Sequence, residues 1–165
     1  MESQVLYEAS FTFQPSWLVI LCFLIIFPYL VIQNVKTFQK KKTKDSIVNV
    51  ALSVLGMLVI LFVAIVVFPD QIRMYANTVG AYKRGDYQII EGYIEDFHPM
   101  PKKGHDIESF TINGVSFEYG YTGSFGYHRC KKDGGVITDN GQHLRIGYTN
   151  YRWLGNVIVY IEELP

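Results

Sequence analysis

Two uninterrupted apolar runs organise the first half of the chain. From Trp17 to Ile32 no position carries a charge, and nearly all are large and apolar. From Ile47 to Phe68 the run is 22 residues long, broken only by Asn49, Ser53 and Gly56. A helix of that length rises about 33 Å, enough to cross a hydrocarbon core of about 30 Å. The first run reaches spanning length over residues 15–35, with Pro15 and Ser16 at one interface and Gln33 to Val35 at the other. The pattern therefore predicts transmembrane helices over 15–35 and 47–68, joined as a helical hairpin. A pair of buried core helices is the alternative, but the rest of the chain is too small to cover two helices that are apolar all round.

Beyond Pro69 the period changes. Ile72, Tyr75, Ala76 and Val79 recur at helical spacing, which predicts a linker helix over 69–84 ending near Gly80 or Gly85. Strand-like alternation follows. Ile90, Gly92 and Ile94 alternate with Glu91, Tyr93 and Glu95, and Pro99 and Pro101 mark a loop. Phe110 and Ile112 precede Asn113-Gly114, and Val115 and Phe117 follow it. That arrangement predicts a two-residue type I′ hairpin with both turn residues at positive φ. Asp139-Asn140-Gly141 precedes a strand through Leu144 and Ile146, and a last strand should place Val157, Val159 and Ile161 on one face. Residues 85–165 are thus expected to form a small, mostly antiparallel β domain. Its expected form is a closed or nearly closed barrel of OB or SH3 type, with a meander as the alternative. Residues 1–14 read as a tail. The fold class is an α+β membrane protein.

Charge sets the orientation. Residues 36–46 contain Lys36, Lys40, Lys41, Lys42 and Lys44 against Asp45 alone. A short lysine-rich loop between two spans stays in the cytoplasm, so both termini and the β domain are expected outside it. Trp17, Phe11 and Phe13 would mark the outer interface at the first span, and Phe68 and Tyr75 at the second. The segment before Trp17 contains Glu2 and Glu8 and no Lys or Arg, unlike a cleaved signal peptide. Over the whole chain 15 basic residues balance 15 acidic ones, and from Pro69 onward there are 10 basic against 12 acidic. With no basic field, nucleic acid is not an expected partner.

Several segments together resemble a family of bacterial membrane proteins of unknown function. They are "EGYIEDFHPMPKKGHDIESFTINGVSFEY", the Gly-Gly before Val136-Ile137, "GQHLRIGY" and "NVIVYIE". The resemblance covers about residues 85–162. It implies a bacterial inner-membrane setting and brings no activity with it. The sequence departs from the family pattern over 119–133.

The candidate chemistry is sparse. His98, His105, His128, Cys130 and His143 lie in the β domain, but no pair has the spacing of familiar zinc sites. His105, Asp106 and Ser109 crowd together in sequence, whereas a triad assembles from distant segments. "TGSFG" misses the nucleophile-elbow pattern at Thr122. Glu91 and Glu95 would share a strand face, the arrangement of a glycosidase pair, although solvated strand carboxylates are commoner. No cofactor is expected. Neither span contains an ionisable Asp, Glu, Lys, Arg or His, which disfavours transport. Asn49, Ser53 and Gly56 share one face of the second span and suit either packing of the two spans or a homo-oligomer contact. Cys130 reads as a thiol, as an intermolecular bridge, or as a sign of inverted topology.

The segment with most character is "EYGYTGSFGYHRCKKDGG". Tyr121, Phe125, Tyr127, Arg129, Lys131 and Lys132 are the candidate partner-binding residues, on a loop hinged by Gly120, Gly123 and Gly126. In the competing arrangement Tyr119, and Tyr121 with it, continues the strand from Phe117 into the core and only the basic tip is exposed. Lys131 and Lys132 could also touch anionic headgroups. The leading functional expectation is a membrane-anchored, non-enzymatic interaction or structural module at the outer face of a bacterial inner membrane. Its partners would be the bilayer and a protein or a second copy. An immunity-type protein against a membrane-acting toxin is the alternative, and an envelope enzyme a more distant one.

Overall fold

The computed structural model describes residues 3–11, 15–101, 103, 106–120, 125–151 and 154–165. Two compact units emerge: Phe13–Ile72 forms one, and Met1–Thr12 joins Arg73–Pro165 in the other.

The first unit contains α1 (Pro15–Lys41) and most of α2 (Lys44–Asn77). Both helices are long and apolar enough to cross a membrane. Large apolar side chains along them face outward: Ile25 is 73% exposed and Ile65 71%. The helices run antiparallel. Trp17 meets Phe68 edge-on, with ring centroids 5.9 Å apart. Gly56 lies against the Phe27 ring, and Asn34 Nδ2 donates to the Asn49 carbonyl at 3.2 Å. Ser53 is buried and its Oγ donates to the Val50 carbonyl. Gly56 and the Asn49 carbonyl thus meet α1, while the side-chain bond of Ser53 stays within α2.

The lysine-rich loop expected over 36–46 is mostly helical, because α1 continues to Lys41 and α2 begins at Lys44. Lysine is a good helix former. Thr43 and Ser46 close the connection as a reciprocal cap: the Thr43 N–H donates to Ser46 Oγ at 3.0 Å, and the Ser46 N–H to Thr43 Oγ1 at 3.3 Å. Likewise the linker helix expected over 69–84 is two pieces. α2 runs through Pro69 to Asn77, and α3 (Val79–Arg84) follows, ending at Gly85 in the left-handed conformation. Tyr75 fixes the end of α2 by packing edge-on against Phe11 and Phe125.

The second unit holds seven described strands in two sheets. They are β1 (Gln4–Glu8), β2 (Gln88–Tyr93), β3 (Glu95–His98), β4 (Glu108–Ile112), β5 (Val115–Tyr119), β6 (His143–Tyr151) and β7 (Gly155–Glu163). One sheet has the order β1-β7-β6-β2 and the other β3-β4-β5, with every pairing antiparallel. The chain changes sheet at Ile94, which is buried between β2 and β3. β5 approaches β7, where Asn156 Nδ2 donates to the Ser116 carbonyl. No ladder joins those two strands, so the described residues form no closed barrel and the barrel expectation is corrected to two packed sheets. The tail expectation is corrected too, since residues 4–8 are an edge strand on β7.

The core lies between the sheets. Leu144, Ile146, Tyr148, Ile158 and Ile161 from one face Phe110, Ile112, Phe117 and Tyr119 from the other. Burying a side chain such as Phe110 or Phe117 stabilises by about 2–3 kcal/mol. The hairpin is as expected: Asn113 has φ 49° and Gly114 φ 79°. Asn113 Nδ2 also donates to the Glu91 carbonyl at 2.8 Å, tying the turn to β2. The last strand is not a single alternating face. Gly147 pairs with Tyr160 and Tyr148 with Ile158, leaving Val159 as an extra residue on β7. This bulge switches the side-chain parity, so Ile158 and Ile161 both enter the core cluster. The buried Val159 is left out of it and accepts the Ala9 N–H.

Candidate functional site

Within the segment of unusual composition, the described residues 118–120 and 125–135 lie against the β unit, and Phe125, Tyr127 and Cys130 are buried. Tyr119 continues β5 into the core. Tyr121 lies outside the described residues. Phe125 and Tyr127 are buried, only 5% and 6% exposed, which corrects their expected role as exposed aromatic anchors. Two contacts draw them in. The Tyr127 N–H donates to the Ile158 carbonyl at 2.8 Å, so the segment runs beside the β7 bulge. The Tyr127 ring packs edge-on against Tyr7 and Tyr119, each with centroids 5.2 Å away. Gly126, at φ 83°, is required for close approach, because a Cβ there would run into Val157 and the Ile158 carbonyl.

Glu108 is the residue that organises this region. It is fully buried at the start of β4. Its Oε1 accepts the Met100 N–H at 3.2 Å and the Lys131 N–H at 2.9 Å, and its Oε2 shares the latter at 3.0 Å. Among the described residues no ion pair reaches it. Hydrogen bonds to a carboxylate are stronger than neutral ones, and here they pin two loops to one strand. Lys131 opens a single 3-10 turn, Lys131–Asp133, so Glu108 also caps that turn. The Tyr119 hydroxyl is buried near it with no well-formed hydrogen bond. Burial first, and then the Glu108 charge, hold the Tyr119 phenol far above its ordinary value. Burial likewise raises Tyr127, whose hydroxyl accepts the Val136 N–H at 2.7 Å, and burial with Tyr127 nearby pushes Tyr7 up to about 12. Cys130 is fully buried and outside any disulfide, which leaves its sulfur no route to an intermolecular bridge.

The basic tip is what reaches solvent. Arg129, Lys131 and Lys132 are exposed. Lys131 Nζ pairs with Asp139 at 2.9 Å, and that hydrogen bond holds the Asp139 carboxyl below its usual range.

The other candidates disperse. His98 sits 3.6 Å from Asp106, His128 Nδ1 contacts the Gly126 carbonyl, and His143 stacks on Tyr93 and contacts the Pro165 carbonyl. His105 lies outside the described residues, as do residues 122–124 of "TGSFG". Among the described residues no three His, Cys, Asp or Glu side chains come together as a metal site. Glu91 and Glu95 fall on different strands in different sheets. Glu91 instead pairs with Arg145 at 3.0 Å, and Arg145 also holds Glu162 at 2.7 Å. An open cleft of about 400 Å³ is bordered by Asn77, Asp86, Tyr87, Gln88, Thr149 and Asn150 among others. It contains none of the residues that the sequence suggested.

Sequence reasoning missed Glu108, although the signal was present. Its parity matches Phe110 and Ile112, and a carboxylate on the inward face of a strand is a buried carboxylate. No protein-family model matches the chain, and comparison with curated proteins and with solved structures also finds no match. The resemblance over residues 85–162 gains no support from these comparisons.

Proposed function

We propose that this protein is a membrane-anchored, non-enzymatic interaction module of a bacterial inner membrane. In this reading α1 and α2 cross the bilayer as a hairpin with the lysine turn on the cytoplasmic side. The β unit is displayed at the outer face, where it holds a protein partner or a second copy of the chain.

The observation that carries the reading is the outward-facing apolar surface of both helices. Leu18, Ile25, Leu58, Phe62 and Ile65 are all more than half exposed, along runs that contain no charge. In water such a surface would be covered by another element or would aggregate. In lipid it requires nothing further, because the helices satisfy their own backbone. The β unit supports the second half of the reading. Phe125 and Tyr127 hold the 125–135 segment in place from beneath, and Glu108 fixes its backbone. Arg129 and Lys132 therefore project from a rigid base, which lowers the entropy cost of binding.

The test is co-purification from membranes of the parent and of an Arg129→Glu, Lys132→Glu variant. The reading expects the variant to insert and fold while losing a partner or self-association that the parent keeps. If it keeps every partner of the parent, the tip is not the binding surface.

A further inference from the structure

The lysine turn has a feature that orientation alone does not require. Lys36, Lys40, Lys41, Lys42 and Lys44 are all exposed, and no ion pair reaches any of them among the described residues. Asp45 is the one acidic residue in that stretch. Lys36 and Lys40 are four apart on α1 and so share a face, while Val35 and Phe38 of the same turns are half-buried. Only Lys42 and Thr43 separate the helices, with Lys42 in the left-handed conformation at φ 48°. The Thr43–Ser46 cap and the Asn34–Asn49 hydrogen bond keep the helix ends together. Four of the five ammonium groups are thus confined to five consecutive residues at one end of an apolar hairpin. Their mutual repulsion is largely unrelieved by protein carboxylates, and an external anion would relieve it.

We propose that the lysine turn is a binding site for the headgroups of anionic phospholipids. The inference rests on the membrane reading above and adds a ligand class to it. The continuous apolar faces of α1 and α2 would lie along the acyl chains of the same lipid whose phosphate the lysines hold. This combination of polar and apolar contact selects a phospholipid over a free phosphate. The preference is electrostatic, with each lysine near an anionic surface strengthening the attraction about fivefold, and it weakens as salt rises.

The experiment uses the full chain in nanodiscs of phosphatidylcholine with a minority of phosphatidylglycerol. It compares the parent with a variant carrying Lys→Gln at 36, 40, 41, 42 and 44. Native mass spectrometry reads the lipids retained when the disc is removed. The parent should retain phosphatidylglycerol over phosphatidylcholine by at least about tenfold, falling with added salt. The variant should insert equally and show no preference. Inorganic phosphate should not compete with the retained lipid at concentrations that leave the Debye length unchanged. Equal preference in parent and variant, no preference in the parent, or displacement by phosphate would each overturn the site. Alkaline wash of phosphatidylcholine vesicles separates this from failure of the membrane reading: release of the parent there would overturn both, and retention keeps the two questions distinct.

Discussion

Removing the Glu108 carboxylate tests how the 125–135 segment is held. In Glu108→Ala the Met100 N–H loses its acceptor in a buried position and the Lys131 N–H loses its acceptor in a part-buried one. An orphan donor costs about 1–3 kcal/mol, so the pair costs about 2–6 kcal/mol before any cavity is counted. For a unit of about a hundred residues, each kcal/mol lowers the melting midpoint by about 4–8 °C, which places the shift at about 8–48 °C. Glu108→Gln is the graded control. Its carbonyl can still accept at the Oε1 position, where Met100 and Lys131 both donate, but its amide brings a donor to the Oε2 position facing Lys131. It should cost about 1–2 kcal/mol. The assay is thermal unfolding of the full chain in detergent by near-ultraviolet circular dichroism, with hydrogen exchange at the Met100 and Lys131 amides. In the alanine variant those two amides should lose protection first. A midpoint for Glu108→Ala equal to that of the parent, with both amides still protected, would refute the role of Glu108 in holding the segment.

Three further outcomes follow from the same geometry. Hydrogen bonds from Ser3 and then Arg145 hold the Glu162 carboxyl below its ordinary value of 4.5, so its contribution is present above that pH and lost as pH falls through the folded value. Glu162→Gln should therefore be less stable than the parent at neutral pH, with the gap shrinking in pH-dependent unfolding curves below 4.5. A gap that stays constant would discount the pairing. Gly147→Val puts a branched side chain where a Cβ already meets the Tyr87 ring and the Tyr160 Cβ, and should destabilise the β unit by about 2–4 kcal/mol in denaturant titrations. Gly56→Leu meets the Phe27 ring and should separate α1 from α2, read as loss of a cross-link between cysteines introduced at Asn34 and Asn49.

Local features were legible in the sequence, and features made by distant pairing were not. Asn113-Gly114 between alternating strands specifies its own turn, and the structure has both residues at positive φ. The apolar runs specify two long helices for the same reason. β1 was hidden because "QVLYE" forms a strand only against β7, at the other end of the chain. The Val159 bulge was hidden because one extra residue reverses side-chain parity without any change in composition. In the 118–135 segment the glycines and basic residues suggested an exposed loop. The burial of Phe125, Tyr127 and Cys130 is decided by the Tyr127 N–H reaching the Ile158 carbonyl and by Glu108 reaching Lys131, over separations of 31 and 23 residues. Glu108 itself was visible by parity, but a single carboxylate on a strand carries no motif.

Topology mapping decides whether the β unit stands outside the cytoplasm on a hairpin anchor. A reporter active only in the periplasm is fused after Pro165 in one version and inserted beside Lys42 in another, in a bacterial host. The five lysines of the turn predict activity after Pro165 and none beside Lys42. Activity beside Lys42 and silence after Pro165 would place the β unit in the cytoplasm and overturn the proposed orientation.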